Sequence, residues 1–433
     1  MRNYLSALII GTTMAVYCTT ANAADTTKFN RANPILLEEQ AAPLILPVGF
    51  SAEQVADRLG RARHIAVHSN GDVFIKLERL RGGKGIARLR DKDEDGKVDD
   101  TTFFGNYAGT GIAIKNGYLY ASSNSAIYRY SINREGEIAN PENPEVVVTG
   151  LVDEKQHASK SIALDNAGNL YVNIGAPSNA CQVQDRTKGS PGQDPCPILE
   201  RAGGIWRFKA DGKNQSYAEG VRYATGLRNV VGLDWNSATN SLFVMQHGRD
   251  QLNNLYPNLY SEQQSADLPA EEMFEVKQGD DFGWPYCYFD GAQNKKLLAP
   301  EYGGDGKQLG RCSTAKQPIV AFPAHLAPNG LLFYTGNQFP ERYRNGAFIA
   351  FHGSWNRAPL PQKGFFVAFV PFKDGKPSGA WETFAEGFAG KETIVNPRDA
   401  QYRPCGLAQG PDGAIYVTDD AKGAVWKISF TGK

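Results

Sequence analysis

A pattern of alternating apolar and polar residues, broken by glycine-containing turns, repeats six times along the chain. Most copies have one alternating run, a turn such as Asn-Gly, Ala-Gly or Asp-Gly, and a second alternating run. The copies lie at residues 64–76, 111–122, 161–175, 232–246, 330–353 and 406–419. Alternation with a period of two predicts β-strands, and glycine permits the positive φ of tight hairpin turns. The pattern therefore predicts six β-hairpins of similar design.

Three of these copies are followed by a further apolar run, at residues 126–132, 204–209 and 424–430. Six such units closed into a ring hide the edges of their sheets. The repeats therefore predict an all-β fold, a six-bladed β-propeller with inserted loops, formed by residues 24–433 as a single domain. Two β-sandwich domains are the alternative, and the near-regular spacing of the glycine turns favours the propeller. Residues 249–278 are expected to hold a short helical turn within an insert.

The first 23 residues have the features of a secretory signal peptide. Arg2 precedes an apolar stretch at residues 4–17, and the small residues Ala21 and Ala23 occupy positions −3 and −1 of the expected cleavage site. The stretch is too short to span a bilayer, and no other run is long and apolar enough for a membrane helix. We therefore expect cleavage after Ala23 and a soluble, periplasmic product.

Composition and cysteine usage agree with an exported globular protein. Hydrophobic residues make up 41% and charged residues 21% of the chain, and 46 basic residues balance 46 acidic ones. A net charge of zero argues against a nucleic-acid partner, which usually requires a basic face. Export permits disulfides, and local spacing favours the pairs Cys181–Cys196 and Cys287–Cys312, with Cys405 as a buried thiol. Sequence alone leaves that connectivity open.

An acidic segment at residues 91–99 reads Asp-Lys-Asp-Glu-Asp-Gly-Lys-Val-Asp. Oxygen ligands at positions 1, 3, 5 and 9, with glycine at position 6, match the first half of a calcium-binding loop. The twelfth position holds Thr102 instead of a bidentate glutamate. The segment fits either a structural calcium site or a solvated turn in which aspartates cap their own backbone.

Candidate chemical groups lie at the junctions between repeats, where a propeller places loops around its central channel. His157 lies in a polar segment just before the third repeat, and an imidazole near its ordinary pKa suits proton abstraction. Arg228, Arg357 and Arg403 occupy comparable junctions. Guanidinium groups pair with carboxylates, so convergence of the three would suit a polyanionic ligand. Three unrelated surface ion pairs are the alternative.

Signatures of two common enzyme classes are missing from the sequence. No glycine-rich dinucleotide-binding fingerprint lies between a strand and a helix, which argues against a Rossmann nicotinamide enzyme. No Gly-x-Ser-x-Gly nucleophile motif is present, so covalent serine hydrolysis has no support.

Seven short motifs are spread over the second half of the chain. They are GLRN at 226–229, QHGRD at 246–250, PAEEMF at 269–274, FGWPYCY at 282–288, HxAPxG at 325–330, HGSWNR at 352–357 and RPxG at 403–406. Together they resemble the soluble pyrroloquinoline-quinone (PQQ)-dependent sugar dehydrogenases, in particular the branch named after L-sorbosone dehydrogenase. The resemblance implies a six-bladed propeller with PQQ and Ca²⁺ as cofactors.

The resemblance also implies catalytic roles for two residues. His157 matches the family's general base, which takes the proton of the sugar hydroxyl while hydride leaves for the quinone C5. Arg228 matches the arginine that polarises the C5 oxygen and stabilises the charge developing there.

The cofactor ligands that the resemblance implies come from four of these motifs. Asn229 matches a neighbour of the cofactor, and the backbone carbonyls of Gly248 and Arg249 match the two that hold the calcium ion. Arg357 and Arg403 match positions that bind the carboxylates of the cofactor.

Three positions depart from the soluble glucose dehydrogenases. Gln156 stands where they carry an acidic residue beside the base, Asn356 where they carry a lysine, and Gln401 where they carry an arginine. The resemblance implies a periplasmic enzyme that oxidises an aldose, a sorbosone-like sugar or a related polyol and passes electrons to an external acceptor such as a quinone or a cytochrome. A calcium-dependent propeller hydrolase of the lactonase type and a non-catalytic propeller that binds sugar or protein are the alternatives.

Overall fold

Six mainly antiparallel β-sheets around one axis form the described part of the computed structural model, residues 44–93 and 95–432. The innermost strand of each sheet contacts the innermost strands of both neighbouring sheets, so the ring is closed. The fold is a six-bladed β-propeller, which confirms the fold predicted from the glycine-turn repeats. The predicted signal peptide, residues 1–23, lies outside the described residues.

Each blade has four principal strands, given in order from the innermost outwards. The first three blades consist of Ala62–Val67, Val73–Arg81, Lys84–Arg90 and Asp100–Phe104; Ile112–Lys115, Tyr118–Ser122, Ile127–Ser131 and Glu145–Thr149, with Gln215–Ser216 at the edge; and Ile162–Leu164, Asn169–Ile174, Gly204–Lys209 and Val221–Thr225, with Asp280–Asp281 at the edge. The other three consist of Val230–Asn236, Ser241–Gln246, Glu271–Val276 and Val320–Phe322; Pro328–Phe333, Ala347–Phe351, Phe366–Val370 and Glu382–Ala385; and Pro404–Gln409, Ile415–Asp419, Val425–Phe430 and Phe50–Ala56. Every predicted hairpin supplies the first two strands of one blade.

The sixth blade joins distant parts of the chain. Its outer strand, Phe50–Ala56, pairs antiparallel with Val425–Phe430, and Phe50 is directly opposite Phe430. The Phe50 ring also packs edge-on against Phe339 and Phe384 of the fifth-blade region, with centroid distances of 4.7 and 5.0 Å. Aromatic burial of this kind stabilises the closure of the ring.

The central strands of the blades are apolar because neighbouring blades cover both of their faces. In the fifth blade all five residues of Ala347–Phe351 are buried, and they belong to core clusters shared with the fourth and sixth blades. A strand covered on both faces has a continuous apolar run instead of an alternating one. The core therefore lies between the blades, and the axis is left open for polar groups.

The insert after the fourth hairpin contains two short helices, Leu252–Leu255 and Glu262–Asp267, which confirms the predicted helical turn. The same stretch also holds a strand that the pattern did not predict, Glu271–Val276. Two further hairpins lie outside the blades, at Cys287–Asp290 with Lys295–Leu298 and at Phe372–Lys373 with Lys376–Pro377. Single 3₁₀ turns occur at Pro197–Glu200, Tyr217–Glu219, Pro300–Tyr302, Gly310–Thr314, Glu341–Tyr343 and Pro397–Asp399.

Both predicted disulfides, Cys181–Cys196 and Cys287–Cys312, are present, and Cys405 is a buried free thiol, as expected. None of the helices in the described ranges is long and apolar enough to cross a membrane.

Candidate active site

A cavity of about 470 Å³ opens at one end of the propeller axis. Its lining comes from the junctions that precede the innermost strands, because all six of these strands start at the same end of the ring. Among the lining residues are Arg63, Thr110, Lys155, His157, Asn229, His247, Asn329, His352, Trp355 and Arg403. Three residues selected from the sequence, His157, Asn229 and Arg403, therefore face one cavity.

A hydrogen bond from the imidazole ring to the backbone holds His157 in one orientation. Its Nδ1 lies 2.6 Å from the carbonyl oxygen of Ala176, and because a carbonyl only accepts, Nδ1 carries the proton of the neutral ring. Burial, together with the positive charge of Arg228, lowers the pKa of His157 to about 3. The imidazole is therefore neutral at physiological pH, with the lone pair on Nε2.

Gly175 packs directly against His157, and the space there admits only glycine. A Cβ atom on Gly175 would lie 2.7 Å from both the Cβ and the carbonyl oxygen of His157, and 3.0 Å from Oδ1 of Asn229. Any larger residue at position 175 would therefore displace two residues of the cavity at once.

Arg228 is buried and, like Gly248 and Arg249, lines a second, smaller pocket instead of the axial cavity, although its neighbour Asn229 does line the cavity. Its Nη2 lies 2.7 Å from Oδ2 of Asp250 and 3.1 Å from Oδ1 of Asn179, and its Nη1 donates to the carbonyl oxygen of Gly248 at 2.9 Å. Burial lowers the pKa of Arg228, while Asp250 opposes that effect. Burial alone would raise the pKa of Asp250, but Arg228 and Arg186 outweigh it and hold that pKa well below its ordinary value.

Asp250 also connects two of the positions that depart from the glucose dehydrogenases. Asn356 donates to its Oδ1 at 2.7 Å, and Arg186, from the loop closed by the first disulfide, donates to its Oδ2 at 2.8 Å. Arg186 in turn donates to Oε1 of Gln156 at 3.2 Å, and the Gln156 amide donates to Asp185 at 2.7 Å. Gln156 and Asn356 thus belong to one hydrogen-bond network with Arg186 and Asp250.

A second cluster of charges lies where the sixth blade meets the first. Oδ2 of Asp420 accepts from Arg63 at 2.8 Å, and its Oδ1 accepts from Nε2 of His352 at 2.6 Å. Arg403 donates to Nδ1 of His352 at 2.9 Å. Asp420 is only 2% exposed, and Nε of Arg63 is buried without a hydrogen-bond partner.

Sequence reasoning missed Arg63, Asp420 and the part that His352 plays in this cluster. A usable signal was present, because Arg63 precedes the first repeat just as Arg403 precedes the sixth.

Arg357 has a different environment. Its Nε donates to the carbonyl oxygen of Pro361 at 3.0 Å, and its Nη1 donates to Oδ1 of Asp267 at 3.0 Å and to the carbonyl oxygen of Ala266. Arg357 is not among the residues that line the axial cavity. In this structure it connects its loop to the second helix of the insert.

Gly248 and Arg249 lie next to Arg228. The Gly248 amide donates to Oε2 of Glu271 at 2.8 Å, and burial raises the pKa of Glu271 to about 7. The Arg249 side chain forms a buried ion pair with Glu301. Backbone carbonyls are ligands that Ca²⁺ accepts, but the Gly248 carbonyl already accepts a hydrogen bond from Arg228. A cation there would have to share that oxygen with the guanidinium or displace it.

The acidic segment lies at the outer edge of the first blade, away from the cavity. Oxygen atoms of Asp91, Asp93 and Asp99 lie within 4.8 Å of one another, and no other such group of three occurs in the described ranges. Asp91 accepts from the Gly96 amide at 2.8 Å and Asp99 from the Lys92 amide at 2.6 Å. The aspartates therefore cap the backbone of their own loop, and three of their carboxylates are also close enough to share a cation.

A family model described as TrAA12-like matches residues 44–431. The chain belongs to the TrAA12-like family. A PQQ-dependent sugar dehydrogenase of Hypocrea jecorina is 23% identical over 406 residues, which cover 88% of each chain. A calcium structure of Trichoderma reesei Carbohydrate-Active Enzymes Family AA12 superposes with a TM-score of 0.72 at 20% identity, covering 92% of this chain and 100% of the other. The holo PQQ domain of a Coprinopsis cinerea pyranose dehydrogenase superposes with a TM-score of 0.70 at 19% identity, covering 92% and 99%.

These relatives confirm the resemblance inferred from the seven motifs. The solved structures of the Trichoderma reesei family AA12 protein and of the pyranose dehydrogenase domain also have the fold described here, over nine-tenths of the chain.

Proposed function

We propose that this protein is an oxidoreductase that oxidises a sugar hydroxyl with PQQ and Ca²⁺ as cofactors and passes the electrons to an external acceptor such as a quinone or a cytochrome. The observation that carries the proposal is the axial cavity, in which the neutral imidazole of His157 shares one lining with the guanidinium groups of Arg63 and Arg403. The names of the relatives support the same cofactor class.

The charges of the cavity fit a ligand with several carboxylates. Arg63, Lys155 and Arg403 line it, and Glu78 is the one acidic residue among the lining residues. Arginine binds carboxylates strongly because its planar donors match the two oxygens. Nε of Arg63 and Oδ1 of Asn229 are buried without partners, and a bound polar ligand is one way to satisfy such atoms. We therefore assign Arg63, Asn229 and Arg403 to the cofactor, and Arg357 to support of the adjoining loop.

Gly248 and Arg249 also fit a calcium ion, although they supply only two of the ligands that it needs. The carbonyls of Gly248 and Arg249 are hard oxygen donors of the kind that Ca²⁺ prefers. The carboxylate of Asp250 lies beside them and makes the surroundings less positive, and Glu271, whose pKa is raised to about 7, accepts from the Gly248 amide. Because the two carbonyls cannot complete the coordination of calcium alone, the remaining ligands would come from the cofactor and water.

The protein's own residues supply proton transfer and charge stabilisation. When bound, PQQ supplies the acceptor for hydride and Ca²⁺ supplies Lewis acidity. Nε2 of His157 takes the proton of the sugar hydroxyl, and the Nδ1–H bond to Ala176 orients the ring and stabilises the imidazolium that forms. The buried charge of Arg228 favours negative charge developing beside it. A polyanion in the cavity would raise the pKa of His157 towards its ordinary range.

Two further elements of the proposal concern substrate and location. We propose an aldose, a sorbosone-like sugar or a related polyol as substrate. We also propose a periplasmic protein, with residues 1–23 as a signal peptide and residues 24–433 as one propeller domain. The two disulfides are consistent with an oxidising compartment.

The lactonase-type alternative requires several carboxylates that hold calcium at the mouth of the channel. In the part of the chain that the structure describes, the one group of three such residues is Asp91, Asp93 and Asp99, and none of them lines the cavity. The geometry therefore favours oxidation over calcium-dependent hydrolysis.

Absorbance titration of the purified protein with PQQ, with and without Ca²⁺, tests the proposal directly. We expect saturable binding that depends on calcium, followed by reduction of an artificial dye when an aldose is added. Hydrolysis of lactones without PQQ would favour the alternative enzyme. Sugar binding with neither activity would favour a non-catalytic propeller.

A further inference from the structure

Trp355 is the exposed tryptophan of the axial cavity. Trp355 is 55% exposed and lines the cavity. The other five tryptophans are buried or half-buried. An aromatic side chain of this size usually stabilises a protein by burial, so an exposed ring beside a polar cavity indicates a binding surface.

The loop that carries this ring is firmly held. The Gly353 amide donates to the carbonyl oxygen of Leu326 at 2.8 Å, and the Ser354 hydroxyl donates to that of His325 at 2.9 Å. On the other side, Asn356 donates to Asp250 at 2.7 Å. Trp355 is therefore fixed through its neighbours, although few atoms of the protein cover the ring itself.

Most of the other side chains that line the cavity are polar. His157, Asn229 and Lys155 share its lining with Trp355, so one cavity offers a ligand both an apolar plate and hydrogen-bonding groups. A pyranose in its chair form has matching surfaces, because its C–H groups form an apolar face and its hydroxyl groups project from the edge. An open-chain polyol has no comparable flat face.

We propose that Trp355 is a stacking platform for the pyranose ring of the substrate and that it selects ring-form aldoses over open-chain polyols and sorbosone-like aldehydes. The inference rests on the proposed sugar oxidation, and it narrows the substrate class. Trp355 is a specificity residue, and it takes no part in proton transfer.

Chemical modification tests the stacking without any need for turnover. N-bromosuccinimide oxidises accessible indoles, and mass spectrometry of peptides measures oxidation of Trp355 separately from the other tryptophans. In the PQQ- and calcium-loaded protein we expect D-glucose to slow oxidation of Trp355 at least fivefold. The same concentration of sorbitol, its open-chain counterpart, should have little effect. Equal protection by the two compounds, or no protection by glucose, galactose or xylose, would overturn the proposal.

Measurements of KM and kcat then distinguish whether Trp355 binds the sugar or the cofactor. For Trp355→Ala we expect at least a tenfold rise in KM for pyranoses, little change in kcat, and unchanged kcat/KM for open-chain polyols. Trp355→Phe should restore most of the pyranose affinity. The matched control is Val395→Ala, which removes an exposed apolar side chain outside the cavity lining and should change neither value.

The affinity for PQQ distinguishes the remaining outcomes. If Trp355→Ala weakens PQQ binding tenfold and PQQ alone protects the indole, the ring belongs to the cofactor and the proposal is wrong. If the wild type binds no PQQ and oxidises no sugar, the proposed function fails, while protection of the cofactor-free protein by glucose still decides whether Trp355 binds a pyranose.

Discussion

Asp250 accepts a hydrogen bond from Arg228 at 2.7 Å and another from Arg186 at 2.8 Å, both on the same oxygen, Oδ2. Arg228 comes from the junction before the fourth blade, and Arg186 comes from the loop closed by the first disulfide. One buried carboxylate therefore neutralises a proposed catalytic arginine and fastens the loop that the first disulfide closes.

Asp250→Asn is expected to destabilise the protein. The substitution leaves the buried guanidinium of Arg228 without a counter-charge, and breaking a buried ion pair typically costs about 3–5 kcal/mol. Urea denaturation measures the effect. The control is Asp412→Asn, which breaks the more exposed ion pair with Lys427 and should cost less than about 1 kcal/mol. Equal losses in the two variants would contradict the assigned role of Asp250.

His157→Gln is expected to lower kcat by roughly 100-fold or more while leaving the affinity for PQQ nearly unchanged, because it removes a general base but no positive charge. Stopped-flow dye reduction gives kcat, and absorbance titration gives the affinity. His68→Gln is a suitable control, since His68 bonds to Asn70 in the turn of the first blade and does not line the axial cavity. Undiminished turnover would exclude His157 from proton transfer.

The lowered pKa of His157 also predicts a pH-dependent stability difference. Between its ordinary value of 6.5 and about 3, the unfolded chain binds a proton at this position and the folded protein does not. Wild type should therefore lose stability relative to His157→Gln as the pH falls below 6.5, by at most about 1.4 kcal/mol per pH unit. Urea denaturation of the cofactor-free proteins at pH 7, 6 and 5 measures the difference. A constant difference across these values would contradict the neutral imidazole.

Arg63→Gln is expected to weaken PQQ binding about 10- to 100-fold, since a charge-assisted hydrogen bond contributes about 1.5–3 kcal/mol. Isothermal titration of the calcium-loaded protein measures the dissociation constant. The trimethyl ester of PQQ, which lacks the carboxylate charges, should bind wild type and variant with similar affinity. Arg342→Gln, at an exposed ion pair with Glu382, is the matched control. An unchanged dissociation constant for PQQ would remove Arg63 from the cofactor site.

The blade architecture could be predicted because it depends on local sequence. Five of the six hairpins join strands that are two to five residues apart, so their turn and their alternating pattern lie within one short window. The strand Glu271–Val276 could not be predicted in this way, because it begins with two glutamates that are buried. Glu271 accepts from the Gly248 and Ala327 amides, and Glu272 pairs with Lys296. None of these partners is visible in the local pattern.

The site could be predicted only in part, for the same reason. His157, Asn229 and Arg403 carry a local signal, since each lies just before a repeat, and the ring brings such junctions together. The pairing of Arg63 with Asp420 joins residues 357 positions apart and exists only because the ring closes between the sixth and first blades. Arg357 resembles a cofactor ligand in sequence, but its contacts with the second helix depend on how the insert folds.

The contact between the outer strand of the sixth blade and the rest of that sheet has a kinetic consequence. Thr431 and Gly49 form a hydrogen bond across a sequence separation of 382 residues. Chain entropy opposes such a long closure until the intervening blades have formed. Refolding is therefore expected to end with a slow step in which an open crescent of sheets becomes a ring. Since Arg63 and Asp420 meet across that junction, PQQ binding should recover only with the slowest phase.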